Sequence, residues 1–227
     1  MKNITAVVTV RSGSQRVKNK NLKPFCDKSL LEYKIEVLKK VKKIDEIIVN
    51  TDSDEAIEIS KKHDIGFKRR EPYFASSECP NSEFWKNIAE NTKSNFILFT
   101  HCTNPLIKKS TYEKFIETFE KNKNIYDSFN SVTDVKEFLF LDKKPVNFDP
   151  SKSPNSQDLP NVIKLNFAIN ILTPSLMAKK KSLIGNNPFF FTLNTEEGYD
   201  INTKLDFEFA EYLFKKDKNQ IFINDKI

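Results

Sequence analysis

The run Thr5-Ala6-Val7-Val8-Thr9-Val10 has the length and β-branched content of a buried strand. It stops at Arg11-Ser12-Gly13-Ser14-Gln15-Arg16-Val17-Lys18-Asn19-Lys20-Asn21-Leu22, a loop of small residues carrying the cations Arg11, Arg16, Lys18 and Lys20. Backbone N–H groups in a tight Ser-Gly-Ser turn can converge on an anion, and the cations add charge around it. Two readings stay open on this stretch alone: an oligophosphate site, or an exposed loop on a Lys-rich chain.

The following segments decide the fold class. Residues 29–38 carry apolar side chains at helical spacing, with Ser29 placed to cap. Residues 44–51 read as a short buried strand, 55–62 as an amphipathic helix and 65–68 as a brief strand. Strand and helix alternating at this spacing predict βαβ units and a mostly parallel sheet with helices on both faces, an α/β fold of three layers. Residues 69–84 read as a loop leading into a helix over 83–91. Residues 95–100 form the most apolar strand, expected at the sheet centre, with His101-Cys102-Thr103-Asn104-Pro105-Leu106 at its carboxyl end. Ligands of open α/β sheets sit at carboxyl ends of strands, so this loop and residues 11–21 are expected to face one crevice.

A helix over 110–121 and strand-like alternation over 127–141 come next, then a Lys-, Pro-, Asn- and Ser-rich stretch over 142–161. This stretch reads as an excursion from the sheet, a lid, a dimer arm or a plain surface loop. Residues 164–172 are another strand. Phe189-Phe190-Phe191 reads as core, and a last helix over 204–215 is expected to turn Leu205, Phe209, Tyr212 and Leu213 inward. No repeat or linker divides the chain, so a single domain over 1–227 is expected.

Composition narrows the classes. A net charge of +6 suits anionic ligands, but the lysines are dispersed and no nucleic-acid-binding motif accompanies them, so no nucleic-acid partner is expected. Cys26, Cys79 and Cys102 lack metal-like spacing and cannot all pair, which predicts buried, inert thiols in a reduced cytoplasmic protein. No apolar stretch is long enough to span a bilayer and no signal pattern opens the chain, so no membrane association is expected.

Several segments, in order, resemble the cytidylyltransferases that activate acidic sugars, the CMP-N-acetylneuraminate synthetase family. The strand and Ala-Arg-x-x-Ser-Lys loop, then Lys-Asn-Leu, correspond to Val10 through Gln15 and Lys20-Asn21-Leu22. Ser-Thr-Asp becomes Asn50-Thr51-Asp52, and Gln-Pro-Thr-Ser-Pro-Leu-Arg becomes His101-Cys102-Thr103-Asn104-Pro105-Leu106-Ile107. Gln-x-Leu-Pro becomes Gln157-Asp158-Leu159-Pro160, Asn-Gly-Ala-Ile-Tyr becomes Asn166-Phe167-Ala168-Ile169-Asn170, and the closing Asp-Ile-Asp motif becomes Asp200-Ile201-Asn202.

The resemblance implies a nucleotidyltransferase that moves CMP from CTP to an acidic acceptor with Mg²⁺ and releases pyrophosphate, serving cell-surface glycan synthesis. It also implies a homodimer formed through an excursion near residues 136–165. Arg11, Arg16 and Lys20 are the catalytic candidates. Arg11, Ser12, Gly13, Ser14, Gln15, Lys20, Asn21, Arg70 and His101 are the nucleotide-binding candidates. Gln157, Lys164 and Asn166 are the acceptor-side candidates, and Asp200 and Asn202 the metal pair.

Departures from the motifs fall mostly on the acceptor side. The loop lysine is Gln15, Arg70 stands one place before the family's Arg-Pro position, and Lys164 and Ile107 replace arginines. Losing an Arg removes a bidentate carboxylate clamp, and Phe167 in a glycine position takes space. A non-standard acceptor, a phosphonate or a phosphorylated compound among them, is therefore one expectation, and a nucleotide binder that has lost turnover is the rival. Asp52 is expected to serve as a loop or cap residue, and Asp206 to belong chiefly to the start of the last helix.

Overall fold

The computed structural model describes residues 2–13 and 17–222. Strand β1 (Lys2–Val10) leads through the basic loop into a small hairpin, β2 (Pro24–Phe25) and β3 (Lys28–Ser29), and then α1 (Leu30–Lys39). Next come β4 (Glu46–Thr51), α2 (Asp54–Lys62), β5 (Gly66–Arg69), α3 (Pro72–Ala75), α4 (Asn81–Glu90) and β6 (Ser94–His101). Helix α5 (Lys109–Asn122) precedes β7 (Ser128–Val135), a hairpin of β8 (Phe140–Leu141) and β9 (Lys144–Pro145), and a 3-10 turn at Ser156–Asp158. The described residues end with β10 (Val162–Leu172), α6 (Pro174–Lys180), β11 (Pro188–Thr192) and α7 (Lys204–Phe222).

Among the described residues seven strands form one mixed sheet in the order β11-β7-β10-β6-β1-β4-β5. β10 runs antiparallel to both β6 and β7, and the other pairings are parallel. From β1 the chain steps to one side, through α1 to β4 and β5, and then crosses back to β6 on the other. The carboxyl ends of β1 and β6 therefore flank a topological switch point, where open α/β sheets form their crevice.

Alternation along the central strands divides the core between the two faces. Ala6, Val8, Leu98, Ile169 and Ile171 pack with α1, α5 and α7. Val7, Ile97, Phe99 and Leu172 pack with Ile88 and Ala89 of α4 and Met177 of α6. Helix α1 begins where the sequence predicts: the Ser29 hydroxyl accepts the Glu32 N–H at 3.2 Å, and the Glu32 carboxylate accepts the Ser29 N–H at 3.0 Å.

The structure corrects several expectations. Helix α7 buries Phe207, Ala210, Phe214 and Ile221, whereas Leu205 and Tyr212 are 73% and 64% exposed and Phe209 is also exposed. The rotation is set by Phe25, whose ring meets Phe207 at 5.3 Å and Phe214 at 5.2 Å, and by Tyr33, whose ring meets Phe214 at 4.4 Å. Of the expected inner residues only Leu213 packs against the core. The Phe189–191 run is strand β11, so its side chains alternate: Phe189 and Phe191 pack on the core and Phe190 is exposed. Cys102 is buried, but Cys26 and Cys79 are only partly so. Residues 162–165 pair with β7, which confines the departure from the sheet to the segment between Val135 and Val162. Among the described residues no helix is long and apolar enough to cross a membrane.

Candidate active site

The loop after β1 is fastened at its start. Asp52, just past β4, accepts the Ser12 backbone N–H at 2.9 Å and the Ser12 hydroxyl as well. Gly13 has φ +76°, a conformation that favours glycine, and an added Cβ there would meet none of the described residues within 4 Å. Arg11 donates to the Ser76 carbonyl at 3.4 Å, and the Lys20 ammonium donates to the carbonyl of Ile201. Ser14, Gln15 and Arg16 lie outside the described residues.

A cleft of about 600 Å³ opens between this loop and the end of β6. Its lining combines the polar side chains of Arg11, Lys20, Asn21, His101, Asp200 and Asn202 with the rings of Phe74, Phe84 and Phe167. Arg70 also lines it. Its guanidinium is buried, donates to the Asn50 side-chain and backbone oxygens at 2.7 Å each, and lies 4.3 Å from the centre of the Phe84 ring. Burial lowers the Arg70 pKa to about 10, so it stays charged at neutral pH. Asn21 is buried, and its side-chain oxygen has no partner among the described residues. An unpaired buried acceptor at a cleft wall is a costly feature that a ligand donor would relieve.

His101 pairs in register with Thr9 of β1, and its Nδ1 lies 3.2 Å from the Thr9 hydroxyl. Burial holds its pKa at about 4, with Asp200 pulling the other way, so the ring is neutral near pH 7. Behind the cleft the buried Lys34 ammonium donates to the Asn104 carbonyl and the Tyr112 hydroxyl, each at 2.8 Å. Asn104 donates to the Tyr199 carbonyl at 3.1 Å, and the Ile201 N–H to the Thr103 carbonyl at 2.9 Å. These bonds hold the segment carrying Asp200 against the end of β6.

Asp200 and Asn202 face each other, the Asn202 amide donating to the Asp200 carboxylate at 2.7 Å. Asp206 is committed elsewhere: it accepts the N–H groups of Asn202 at 2.9 Å and Thr203 at 2.6 Å, and the Tyr199 hydroxyl at 2.7 Å. Burial opposes its ionisation, but the bonds from Tyr199, Thr203 and Asn202 prevail and draw its pKa down to about 2. Its role is structural, as is that of Asp52. Among the described residues no cluster of three or more His, Cys, Asp or Glu side chains is placed to hold a metal.

A second chamber, about 410 Å³, adjoins the first and shares Asn166, Phe167, Asp200 and Asn202 with it. Lys164, Thr133 and Thr195 line its other side. Arg11, Lys20, Asn21, Arg70, His101, Asn166, Asp200 and Asn202 thus converge on one cleft, and Lys164 on its neighbour. Gln157 is exposed on the 3-10 turn and lines neither chamber. Asn166 turns its amide inward, accepting from the Ser131 hydroxyl at 2.6 Å and donating to the Thr133 hydroxyl at 2.8 Å, so it braces the wall. Sequence reasoning passed over Thr9, Phe74 and Phe84; for Thr9 the signal was its place at the carboxyl end of the first strand.

The Cytidylyltransferase family profile matches residues 5–226. The chain belongs to the cytidylyltransferase family. Post-translational flagellin modification protein B of Campylobacter coli is 26% identical over 230 residues, covering 95% of this chain and 97% of that protein. The pseudaminic acid cytidylyltransferase of Campylobacter jejuni subsp. jejuni is 26% identical over 235 residues, covering 98% of this chain and 100% of the relative. Among solved structures, a CMP:2-keto-3-deoxy-manno-octonic acid synthetase complexed with CTP superposes with a TM-score of 0.73 at 12% identity, covering 95% of this chain and 99% of the other. That likeness is one of fold. The cytidylyltransferase cleft lies at the switch point that the strand order creates.

Proposed function

We propose that this cytidylyltransferase transfers CMP from CTP to an acidic sugar acid. The observation that carries the reading is the convergence of Arg11, Lys20, Asn21, Arg70, His101, Asp200 and Asn202 on one cleft at the switch point. Relatives named for pseudaminic acid and N,N'-diacetyllegionaminic acid support the acceptor class. An acceptor oxygen attacks the α-phosphorus in line while the bond to pyrophosphate breaks. The protein positions the reactants and neutralises charge.

In this reading Arg11, Lys20 and Arg16 balance the triphosphate, and Gly13, Ser14 and Gln15 offer loop N–H groups, while the Ser12 N–H stays with Asp52 and sets the turn. The unpaired Asn21 oxygen takes a donor from base or ribose. Arg70, pinned by Asn50, presents a fixed charge, and neutral His101 acts through hydrogen bonding. Lys164 serves the acceptor's carboxylate from the second chamber. The donor set suits Mg²⁺, a hard ion that keeps several waters: Asp200 supplies a carboxylate, Asn202 a carbonyl oxygen, and phosphate oxygens the remainder. Bound there, the ion would offset the negative charge of the triphosphate.

We also propose a homodimer formed through the 140–145 hairpin, where Phe138, Phe140, Leu141 and Val146 are all exposed. A second copy would cover this apolar surface. Sedimentation of the Phe140→Ser/Leu141→Ser variant tests it: the pair should sediment as a monomer where the parent does not, and unchanged sedimentation would refute the arm.

Two measurements test the activity. Titration calorimetry with CTP and Mg²⁺ should give saturable heat, and pyrophosphate should appear with at least one sugar acid of a panel. Nucleotide binding without pyrophosphate from any acid would favour a degenerate nucleotide binder. No binding at millimolar CTP would sink both readings.

A further inference from the structure

Three features meet in Phe167. Its backbone is left-handed, with φ 53°, a region that a bulky side chain occupies at a cost and glycine without one. It sits where the β10–β7 ladder slips register between Leu165 and Asn170. Bulges of this kind re-aim a side chain. Asn166 fastens the bulge through Ser131, Thr133 and the Ala168 N–H. The re-aimed ring packs 6.1 Å from that of Trp85 on α4 and lines both chambers. The chain thus holds a phenyl ring, against backbone preference, on the wall between the two compartments.

We propose that Phe167 is a specificity-determining residue that narrows the acceptor's approach and selects compact sugar acids over N-acylated nine-carbon ones. The inference rests on the cytidylyltransferase reading above. Asp200 and Asn202 also line both chambers, so the reacting oxygen meets the α-phosphorus beside this ring. The discrimination therefore acts where the acceptor enters the reaction. A phenyl face accepts only weak π hydrogen bonds, so a bulky polar substituent pressed against it loses stronger bonds to water than it gains.

The test compares the parent with Phe167→Gly and Phe167→Ala. Pyrophosphate release is measured at saturating CTP with 2-keto-3-deoxy-manno-octonic, N-acetylneuraminic and pseudaminic acids. The parent should favour the eight-carbon acid. In both variants the ratio of kcat/KM for the eight-carbon to the nine-carbon acids should fall about tenfold or more, the scale on which pocket shape discriminates. The KM for CTP should move less than that for the acceptor. Glycine relieves the backbone and alanine does not, so a shared change in acceptor ranking identifies the ring as its cause. Thermal unfolding of each variant keeps the comparison to folded protein, and Phe167→Gly alone suffices if the alanine variant is unfolded. Unchanged ranking, or an equal loss for every acid, overturns the inference and leaves the cytidylyltransferase reading standing. Absence of turnover in parent and variants alike overturns both.

Discussion

The carboxylate of Asp52 holds both the backbone N–H and the hydroxyl of Ser12, so the end of β4 sets where the basic loop leaves β1. The two strands are parallel neighbours, with Val10 opposite Thr51. The sheet's register thus fixes the loop's first turn, and Arg11 beside it.

Replacing Asp52 with Ala should free that turn without touching the core. Hydrogen bonds to a charged group contribute about 1.5–3 kcal/mol, less at an exposed site such as this one. The expected outcome is a rise of about three- to tenfold in KM for CTP, with the melting temperature nearly unchanged. Steady-state kinetics beside a thermal melt would check it, and a large drop in melting temperature with unchanged KM would contradict it.

Lys34 couples folding to pH. Burial lowers its pKa from 10.5 to about 7, while Cys102 and Glu197 act in the opposite direction. Between pH 7 and 10.5 the unfolded chain keeps a proton that the folded chain has released. This group therefore favours folding increasingly as pH rises through that window, and its burial penalty is full below it. Lys34→Met should flatten that rise while leaving the Asn104 carbonyl and Tyr112 hydroxyl short of a donor. Urea denaturation at pH 7 and at pH 9.5 on both proteins reads the difference, and parallel pH dependences would refute the assignment.

The fold's legibility followed its periodicity. β1, α1, β4, α2, β6 and α5 were readable because each carries one apolar pattern and, for α1, a capping box. Helix α7 carries two competing stripes, Leu205-Phe209-Tyr212 and Phe207-Ala210-Phe214, and Phe25 in a hairpin distant in sequence, with Tyr33 of α1, decides between them. The cleft's polar wall was readable from motifs at strand ends. The bracing role of Asn166 was not, since it depends on Ser131 and Thr133 across the sheet. Nor does a lysine within an amphipathic helix announce the burial of Lys34.

His101 gives a slope of the same sign at lower pH. Its pKa falls from 6.5 to about 4 on burial, so from pH 6.5 down to 4 the unfolded chain takes up a proton that the folded chain refuses. Its contribution is present above pH 6.5 and is lost as pH falls toward 4. His101→Gln should lessen the fall in melting temperature over that range while keeping a hydrogen-bonding group near Thr9. Thermal melts at pH 7, 5.5 and 4.5 would show it, and identical slopes in the two proteins would refute it.

Asn202 sets the last prediction. Its amide donates to Asp200 at 2.7 Å, a neutral donor that satisfies the carboxylate without adding charge. Asn202→Asp would replace that bond with two facing carboxylates, which repel each other until a divalent ion lies between them. The variant should therefore melt lower in EDTA, by the equivalent of about 1–2 kcal/mol. In return it should need several-fold less Mg²⁺ for half-maximal pyrophosphate release. Melting in EDTA and a Mg²⁺ titration separate the two effects. A variant as stable as the parent without metal, and no more responsive to it, would mean that Asp200 and Asn202 do not form the ion's seat.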